Sequence, residues 1–221
     1  MEEKQIGTIK AVIFDLDGVI VSTDECHYKA WQRMADEEGI YFDRTINDRL
    51  RGVSRMQSVD IILEKASKDY NAQQIVEMAD RKNKYYRELI QYLTPDDILP
   101  GVTNLVGKLK NSGIKVAIGS SSKNTALILE RIGLNNSFEV VVDGNCIIRS
   151  KPDPEVFQKA AELLNVSAQD CLVIEDADAG VEAALSAGMK VLGVGAAYAN
   201  KSATLRLNDL SNASADWILS A

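Results

Sequence analysis

The chain has 221 residues, of which 46% are hydrophobic and 26% are charged, the balance of an ordinary soluble globular protein. Its formal net charge of −7 argues against a general nucleic-acid-binding surface, and no stretch approaches the ~18 consecutive apolar residues of a membrane span. Three separated cysteines and a polar N-terminal segment favour a cytoplasmic enzyme with free thiols, without a nucleic-acid or membrane partner.

Short apolar runs that alternate with amphipathic segments predict the fold. The first run, 9–14, is rich in β-branched residues and ends at acids and a glycine, which is typical of a buried parallel strand. Similar runs follow at 116–119, 139–142, 171–174 and 191–194, with helical spacing between them. This alternation predicts an α/β protein whose core is a doubly wound, Rossmann-like parallel sheet.

The stretch after the first strand has a different character, because it contains many helix formers and almost no β-branched run. Helices are predicted at 27–38, 55–65 and 73–91. Prolines and acids in 94–101 would end the last of them and return the chain to the sheet. We therefore predict a core domain made of 1–21 and 93–221, with an inserted all-helical cap domain at 22–92.

A pair of carboxylates follows the first predicted strand. Asp15 and Asp17 are two residues apart, and Gly18 comes directly after them. Because side chains two apart on a strand share a face, both carboxylates can approach one site. Taken alone, the pair is equally consistent with a solvated strand end and a turn.

Three further polar segments follow later strands, at the edge where open parallel sheets bind ligands. Ser120, Ser121 and Ser122 offer hydroxyls and backbone N–H groups to an anion, although a helix cap alone would use one serine. Lys151 precedes a proline-rich turn, where a surface lysine is also common. Glu175 and Asp176 supply hard oxygen ligands that suit Mg²⁺, although an acidic first helical turn would explain one or two acids.

The order of these segments is more specific than any one of them. A carboxylate pair, a hydroxyl cluster, a lysine and an acid cluster follow successive strands, and in this the chain resembles the haloacid dehalogenase superfamily over nearly its whole length. The resemblance implies that Asp15 forms an aspartyl phosphate and that Asp17 is the acid/base. It also implies that Ser120 holds a phosphoryl oxygen and that Lys151 offsets charge. The implied Mg²⁺ ligands are Asp15, Asp17 through its backbone carbonyl, Glu175 and Asp176.

The predicted cap resembles a narrower group. Segments 25–31, 50–55 and 81–83, with 122–124 of the core, resemble the β-phosphoglucomutase family. The resemblance implies that β-glucose 1-phosphate and glucose 6-phosphate are interconverted through β-glucose 1,6-bisphosphate, which would serve as intermediate and activator. His27 would help position Asp17, and Arg55 would hold the phosphate that is not transferred. The implied substrate-binding residues are Thr23, Trp31, Gly52, Val53, Ser54, Arg55, Lys82, Ser121, Ser122, Lys123 and Asn124.

Plainer explanations exist for several of these residues. His27 on an amphipathic helix is as often structural as functional, Trp31 is more often part of a helical core, and Arg55 has basic neighbours typical of a solvated face. Ala177 stands where relatives often carry serine, and Asp153 stands where a small residue is common. Both departures leave room for a capped phosphatase acting on hexose or other small sugar phosphates.

Two alternatives come from other functional classes. A receiver-type signalling domain also combines acids, Mg²⁺ and lysine, but its phosphorylated aspartate follows a mid-chain strand and it has no 70-residue cap. A catalytically silent sugar-phosphate sensor is disfavoured because Asp15 and Asp17 are both present. We expect a monomeric enzyme that acts on a small sugar phosphate.

Overall fold

The computed structural model describes residues 9–50 and 53–221, and its core is one parallel sheet. The strands are β1 (Ala11–Phe14), β2 (Lys115–Gly119), β3 (Val140–Val142), β4 (Cys171–Glu175), β5 (Lys190–Gly193) and β6 (Leu205–Arg206). They lie in the order β3-β2-β1-β4-β5-β6, so β1 is central and pairs with β2 and β4. The predicted α/β class is confirmed, and the two-residue strand β6 extends the sheet beyond the prediction.

Helices cover both faces of this sheet. They are α5 (Val102–Asn111), α6 (Thr125–Arg131), α7 (Glu155–Leu164), α8 (Asp178–Ser186) and α9 (Ala215–Leu219). Alternate residues of β1 enter different cores: Val12 and Phe14 belong to one, and Ala11 and Ile13 to the other. This alternation follows from the two-residue period of a strand, and burial of both faces explains why β1 is continuously apolar.

Residues 24–90 contain only helices among the regular elements of the described chain. They are α1 (Asp24–Glu38), α2 (Arg44–Asp48), α3 (Arg55–Leu63) and α4 (Ala72–Ile90). Helices α1 and α4 pack together and bury Trp31, Met34, Met78 and Tyr86. The short helix α2 was not predicted. No helix in the described ranges is long and apolar enough to cross a membrane.

Two chain segments connect these helices to the sheet, and they bond to each other. Val21 and Ile98 form an antiparallel bridge, and the Leu99 N–H donates to the Ile20 carbonyl at 2.9 Å. The outgoing and returning chains therefore meet beside β1 as a paired connection. The domain boundaries proposed from the sequence stay a prediction, and this paired connection lies close to them.

Candidate active site

The carboxyl ends of β1 and β4 bring two pairs of acids to one edge of the sheet. The Asp15 N–H donates to the Ile174 carbonyl at 2.9 Å, which continues the strand pairing one residue past β1. Glu175 ends β4, and Asp176 follows it. The parallel register thus places residues 15 and 175 side by side, although they are far apart in sequence.

A buried lysine joins these two strands. The Lys151 ammonium lies 2.5 Å from Asp15 Oδ1 and 2.6 Å from Glu175 Oε1. Burial raises the pKa of Asp15 to about 7 while Lys151 opposes the shift. Burial disfavours the ammonium of Lys151, but the two carboxylates outweigh it and raise the pKa of Lys151. Lys151 therefore stays charged and offsets the negative charge of the buried acids. It is not the exposed surface lysine that its sequence context also allowed.

One oxygen from each of Asp15, Glu175 and Asp176 lies within 4.8 Å of the others. Burial raises the pKa of Asp176 to about 8, and the charges of Asp15 and Glu175 add to the shift. Three acids against one lysine leave excess negative charge in a desolvated site, so the donor set fits a hard divalent cation such as Mg²⁺. The cluster of side-chain oxygens does not include Asp17, whose implied ligand is a backbone carbonyl.

Two glycines make room for these acids. Gly18 has a φ of +78°, and a Cβ added there would lie 2.1 Å from Asp176 Oδ2. A Cβ on Gly180 would lie 1.8 Å from Glu175 Oε1, whose partner oxygen accepts a hydrogen bond from the Ala177 N–H at 2.8 Å. Gly180 was not singled out in the sequence, because a glycine in a helical segment carries no signal of this approach.

Asp17 lies at the start of a hydrogen-bonded chain that leads to α4. Thr23 Oγ1 donates to Asp17 Oδ1, and the Tyr86 hydroxyl donates to Thr23 Oγ1 at 3.0 Å. Burial raises the pKa of Asp17 to about 6, while the bond from Thr23 opposes the shift. Thr23 is fully buried in this chain of contacts. Tyr86 was missed from the sequence, where it is one of several aromatic residues in an amphipathic helix.

Lys82 and His27 form a second buried pair. Lys82 Nζ lies 2.8 Å from His27 Nδ1 and also sits over the rings of Trp31 at 4.6 Å and Tyr86 at 4.8 Å. Burial first, and then the charge of Arg55, lower the pKa of Lys82 to about 7, against the opposing charge of Asp17. The pKa of His27 is lowered well below its usual value by burial, then by Lys82 and Arg55. His27 is therefore neutral and can accept a hydrogen bond from Lys82.

Arg55 is the first residue of α3, directly after its N-cap Ser54. Burial lowers the pKa of Arg55. Across the described chain, neither Arg55 nor Lys82 has a carboxylate within the 4.0 Å of an ion pair, although Arg44, Arg49 and Arg81 do. Val53, which is exposed, precedes the N-cap residue Ser54, whereas Gly52 lies outside the described residues. The helices thus hold two partly or fully buried basic groups that form no ion pair in the described chain, although the charge of Asp80 favours the charged form of Arg55 and that of Asp17 favours the charged form of Lys82.

The loop after β2 is held by its own hydroxyls. Ser120 is buried and its Oγ accepts from the Ser122 N–H at 3.1 Å, while Ser122 Oγ accepts from the Asn124 N–H at 3.2 Å. Ser121 Oγ accepts from the Lys151 N–H at 3.5 Å, and Lys123 is exposed. The four predicted core segments therefore meet at one edge. No described hydrogen bond or ion pair joins Arg55 to this loop.

Comparison with known proteins places this arrangement in a family. Residues 9–188 match the model of the haloacid dehalogenase-like hydrolases. The chain belongs to the haloacid dehalogenase-like hydrolase family. Membership confirms the resemblance predicted from the order of the four segments and agrees with the parallel sheet.

Three similar proteins show which members of this family the chain resembles. A β-phosphoglucomutase of Bacillus subtilis is 47% identical over 189 residues, covering 85% of this chain and 84% of the relative. A phosphorylated carbohydrates phosphatase of Thermotoga maritima is 31% identical over 185 residues, covering 82% and 83%. The crystal structure of β-phosphoglucomutase from Clostridium difficile is 41% identical, covers 95% of both chains and superposes with a TM-score of 0.89.

Proposed function

We propose that this protein is a β-phosphoglucomutase that interconverts β-glucose 1-phosphate and glucose 6-phosphate. The reaction proceeds through an aspartyl phosphate on Asp15 and through β-glucose 1,6-bisphosphate, which also primes the enzyme. Support comes from the similarity to two β-phosphoglucomutases over most of the chain, at 47% and 41% identity. The predicted cap segments of the sequence point to the same reaction.

The observation that carries the proposal is the cationic pair in the helical insert. Burial lowers the pKa of both groups, the charge of Arg55 lowers the pKa of Lys82 as well, and neither group forms an ion pair with a carboxylate in the described part of the chain. A phosphate dianion would relieve this repulsion, and a guanidinium binds phosphate oxygens in pairs. A mutase needs such a second phosphate site, because the bisphosphate must rebind with its two phosphates exchanged.

Asp15 is the nucleophile in this proposal. Its Oδ1 bonds to Lys151, so Oδ2 is the oxygen that attacks the phosphorus. The P–O bond to the sugar breaks as the bond to Asp15 forms, and a covalent intermediate divides the transfer into two easier displacements. Lys151 and Ser120 oppose the negative charge on the phosphoryl group during both displacements.

Asp17 handles the proton. It protonates the sugar oxygen that leaves and later removes the proton from the hydroxyl that attacks the aspartyl phosphate. A pKa of about 6 suits both duties, because each protonation state is accessible near neutral pH. The Tyr86–Thr23–Asp17 chain of hydrogen bonds orients this carboxylate from α4.

Mg²⁺ is the proposed metal cofactor. Asp15, Glu175 and Asp176, with the backbone carbonyl of Asp17, would hold the ion, which would supply positive charge beside the transferring phosphoryl group. Lys151 holds two of these carboxylates in place through its contacts with Asp15 and Glu175.

The proposed sugar site lies between the loop after β2 and the helices. Val53, Ser54, Arg55, Lys82, Trp31 and Thr23 contribute from the helical side, and Ser121, Ser122, Lys123 and Asn124 from the core. Gly52 stays in the proposed set. Closure of the helices over the sugar would exclude water, which would otherwise hydrolyse the aspartyl phosphate.

A phosphorus NMR time course with Mg²⁺, β-glucose 1-phosphate and catalytic β-glucose 1,6-bisphosphate tests the proposal. The glucose 6-phosphate resonance should grow as the substrate resonance falls, with little inorganic phosphate. Release of inorganic phosphate without glucose 6-phosphate would contradict it and would establish the alternative below.

The alternative is a capped phosphatase acting on hexose or other small sugar phosphates. It is favoured by the 31% identity to the phosphorylated carbohydrates phosphatase of T. maritima, whose similarity spans the same part of this chain. In that case water would take the place of the sugar hydroxyl, and Asp17 would activate it. We further infer a monomer in the cytoplasm whose partner is the sugar phosphate alone.

A further inference from the structure

A hydrogen bond between two side-chain amides joins the helical insert to the core. Asn124 Nδ2 donates to Asn83 Oδ1 at 3.0 Å, across 41 positions of sequence. Asn83 lies on α4, whereas Asn124 follows the loop after β2. The contact is separate from the paired connection formed by Val21 and Ile98.

The Asn124 side chain makes this contact but does not cap its own helix. It occupies the N-cap of α6, where asparagine usually accepts a hydrogen bond from the first turn, yet its side chain makes no capping bond. The amide is nine-tenths buried and turned toward α4 instead. In the described chain, the hydrogen bond that orients this side chain is therefore the one to Asn83 and not a helix cap.

Asn83 shares a helical face with residues that reach the proposed site. Lys82 is its neighbour and contacts His27, and Tyr86, three residues on, bonds to Thr23. Positions three apart on a helix lie side by side. One side of α4 therefore carries Lys82, Asn83, which bonds to Asn124 of the core, and Tyr86, which bonds to Thr23 and through it to Asp17.

From this arrangement we propose that Asn83 is a positioning residue for the second phosphate site. It fixes the amide of Asn124 so that the core part of the site and the cationic helical part form together. The inference rests on the proposed function and deepens it. Without Asn83, the amide of Asn124 loses the hydrogen bond that orients it, and α4 loses a hydrogen bond to the core. The sugar phosphate then binds less tightly and the closed state admits water more often.

The test measures glucose 6-phosphate affinity by calorimetry for the wild type, Asn83→Ala, Asn124→Ala and the double variant. Asn83→Ala should raise Kd by about three- to tenfold, the range of one lost hydrogen bond. In the Asn124→Ala background, the same change should have little further effect. Gln73→Ala, which removes an exposed amide from the first turn of the same helix, is the matched control and should bind as the wild type does.

A second readout separates positioning from general damage to the fold. Alanine is a better helix former than asparagine, so Asn83→Ala should keep the melting temperature of the wild type. In turnover, KM should rise while kcat changes little, and more inorganic phosphate should be released per glucose 6-phosphate formed. Wild-type affinity in Asn83→Ala, or equal effects of Asn83→Ala in both backgrounds, would overturn the inference. Because affinity requires no turnover, a wild type that fails to isomerise would refute only the proposed function.

Discussion

At the scale of single residues, Asp176 shows the electrostatic cost of the site most clearly. Its pKa is raised from 3.8 to about 8, by burial first and then by Asp15 and Glu175. A carboxyl group with a raised pKa stabilises the folded state below its unfolded pKa, and this contribution is lost as the pH rises through the folded pKa. The acid cluster therefore opposes folding at neutral and alkaline pH unless a cation offsets it.

The raised pKa of Asp176 predicts that stability depends on pH and that Mg²⁺ removes this dependence. In EDTA, the free energy of unfolding should fall on the order of a few kcal/mol as the pH rises from about 4 to about 8. Mg²⁺ should restore most of it, and Asp176→Asn should weaken both the fall and the restoration. Urea denaturation across this pH range measures the effect. A wild type equally stable in EDTA and in Mg²⁺ at pH 8 would argue against the metal site.

Arg55 has the clearest individual prediction in the helical insert. Because its guanidinium lacks a carboxylate partner in the described residues, Arg55→Ala should weaken hexose phosphate affinity by about 1.5–3 kcal/mol, the range for a hydrogen bond to a charged group. The matched control is Arg49→Ala, since Arg49 is exposed and pairs with Glu64 at 2.7 Å. Titration of glucose 6-phosphate checks both variants. Unchanged affinity in Arg55→Ala would end the proposed role of this residue.

At the scale of elements, α3 positions Arg55 through its N-terminal cap. Ser54 Oγ accepts from the Gln57 N–H at 3.3 Å, and Gln57 Oε1 accepts from the Ser54 N–H at 3.0 Å. This reciprocal capping box fixes the first turn, and hence the start of the Arg55 side chain. Ser54 thus has a structural role beside its proposed contact with sugar.

Two substitutions distinguish these roles. Ser54→Ala should lower the free energy of unfolding by about 1 kcal/mol, whereas Ser54→Asn keeps a capping oxygen and should recover most of it. Urea denaturation measures stability, and KM for β-glucose 1-phosphate follows the sugar contact. If Ser54→Ala left stability unchanged but raised KM, the serine would act on substrate alone.

Elements with a distinctive local composition could be predicted from sequence. The predicted strand at 171–174 corresponds to Cys171–Glu175, and the predicted helix at 55–65 to Arg55–Leu63. The strand is specified by a continuous apolar run that is buried on both faces, and the helix by its helix-forming residues. The short helix Arg44–Asp48 and the strand Leu205–Arg206 were not predicted, because five and two residues are too few to show a helical or strand pattern of apolar residues.

The site could be predicted in part, for a physical reason. Asp15 follows β1, Glu175 ends β4 and Lys151 lies in the connection after β3, and a parallel sheet brings the carboxyl ends of its strands to one edge. Asn83 and Gly180 carry no such marker, because their roles depend on contacts between elements. Asn83 Oδ1 lies 3.0 Å from Asn124 Nδ2, and a Cβ added at Gly180 would lie 1.8 Å from Glu175 Oε1. Sequence spacing specifies what lies on one element, and only the packed structure specifies contacts between elements.

At the scale of the whole molecule, the site residues of the sheet and those of the helical insert carry opposite charges. The sheet edge concentrates Asp15, Glu175 and Asp176 around Lys151, and the helices hold Arg55 and Lys82, which form no ion pair in the described chain. A sugar with phosphates at both ends would engage both poles, one phosphate at Asp15 and one at Arg55. Release and rebinding in the reversed orientation would complete the isomerisation.

Transfer of radiolabelled phosphate tests this account most directly. The substrate is β-glucose 1-phosphate labelled in its phosphate, and it is mixed with unlabelled β-glucose 1,6-bisphosphate and Mg²⁺. Label should enter the bisphosphate pool before equilibrium and appear transiently on the peptide containing Asp15, with neither event in Asp15→Ala. Label that passes only to inorganic phosphate, or that enters the bisphosphate without Asp15, would contradict the account.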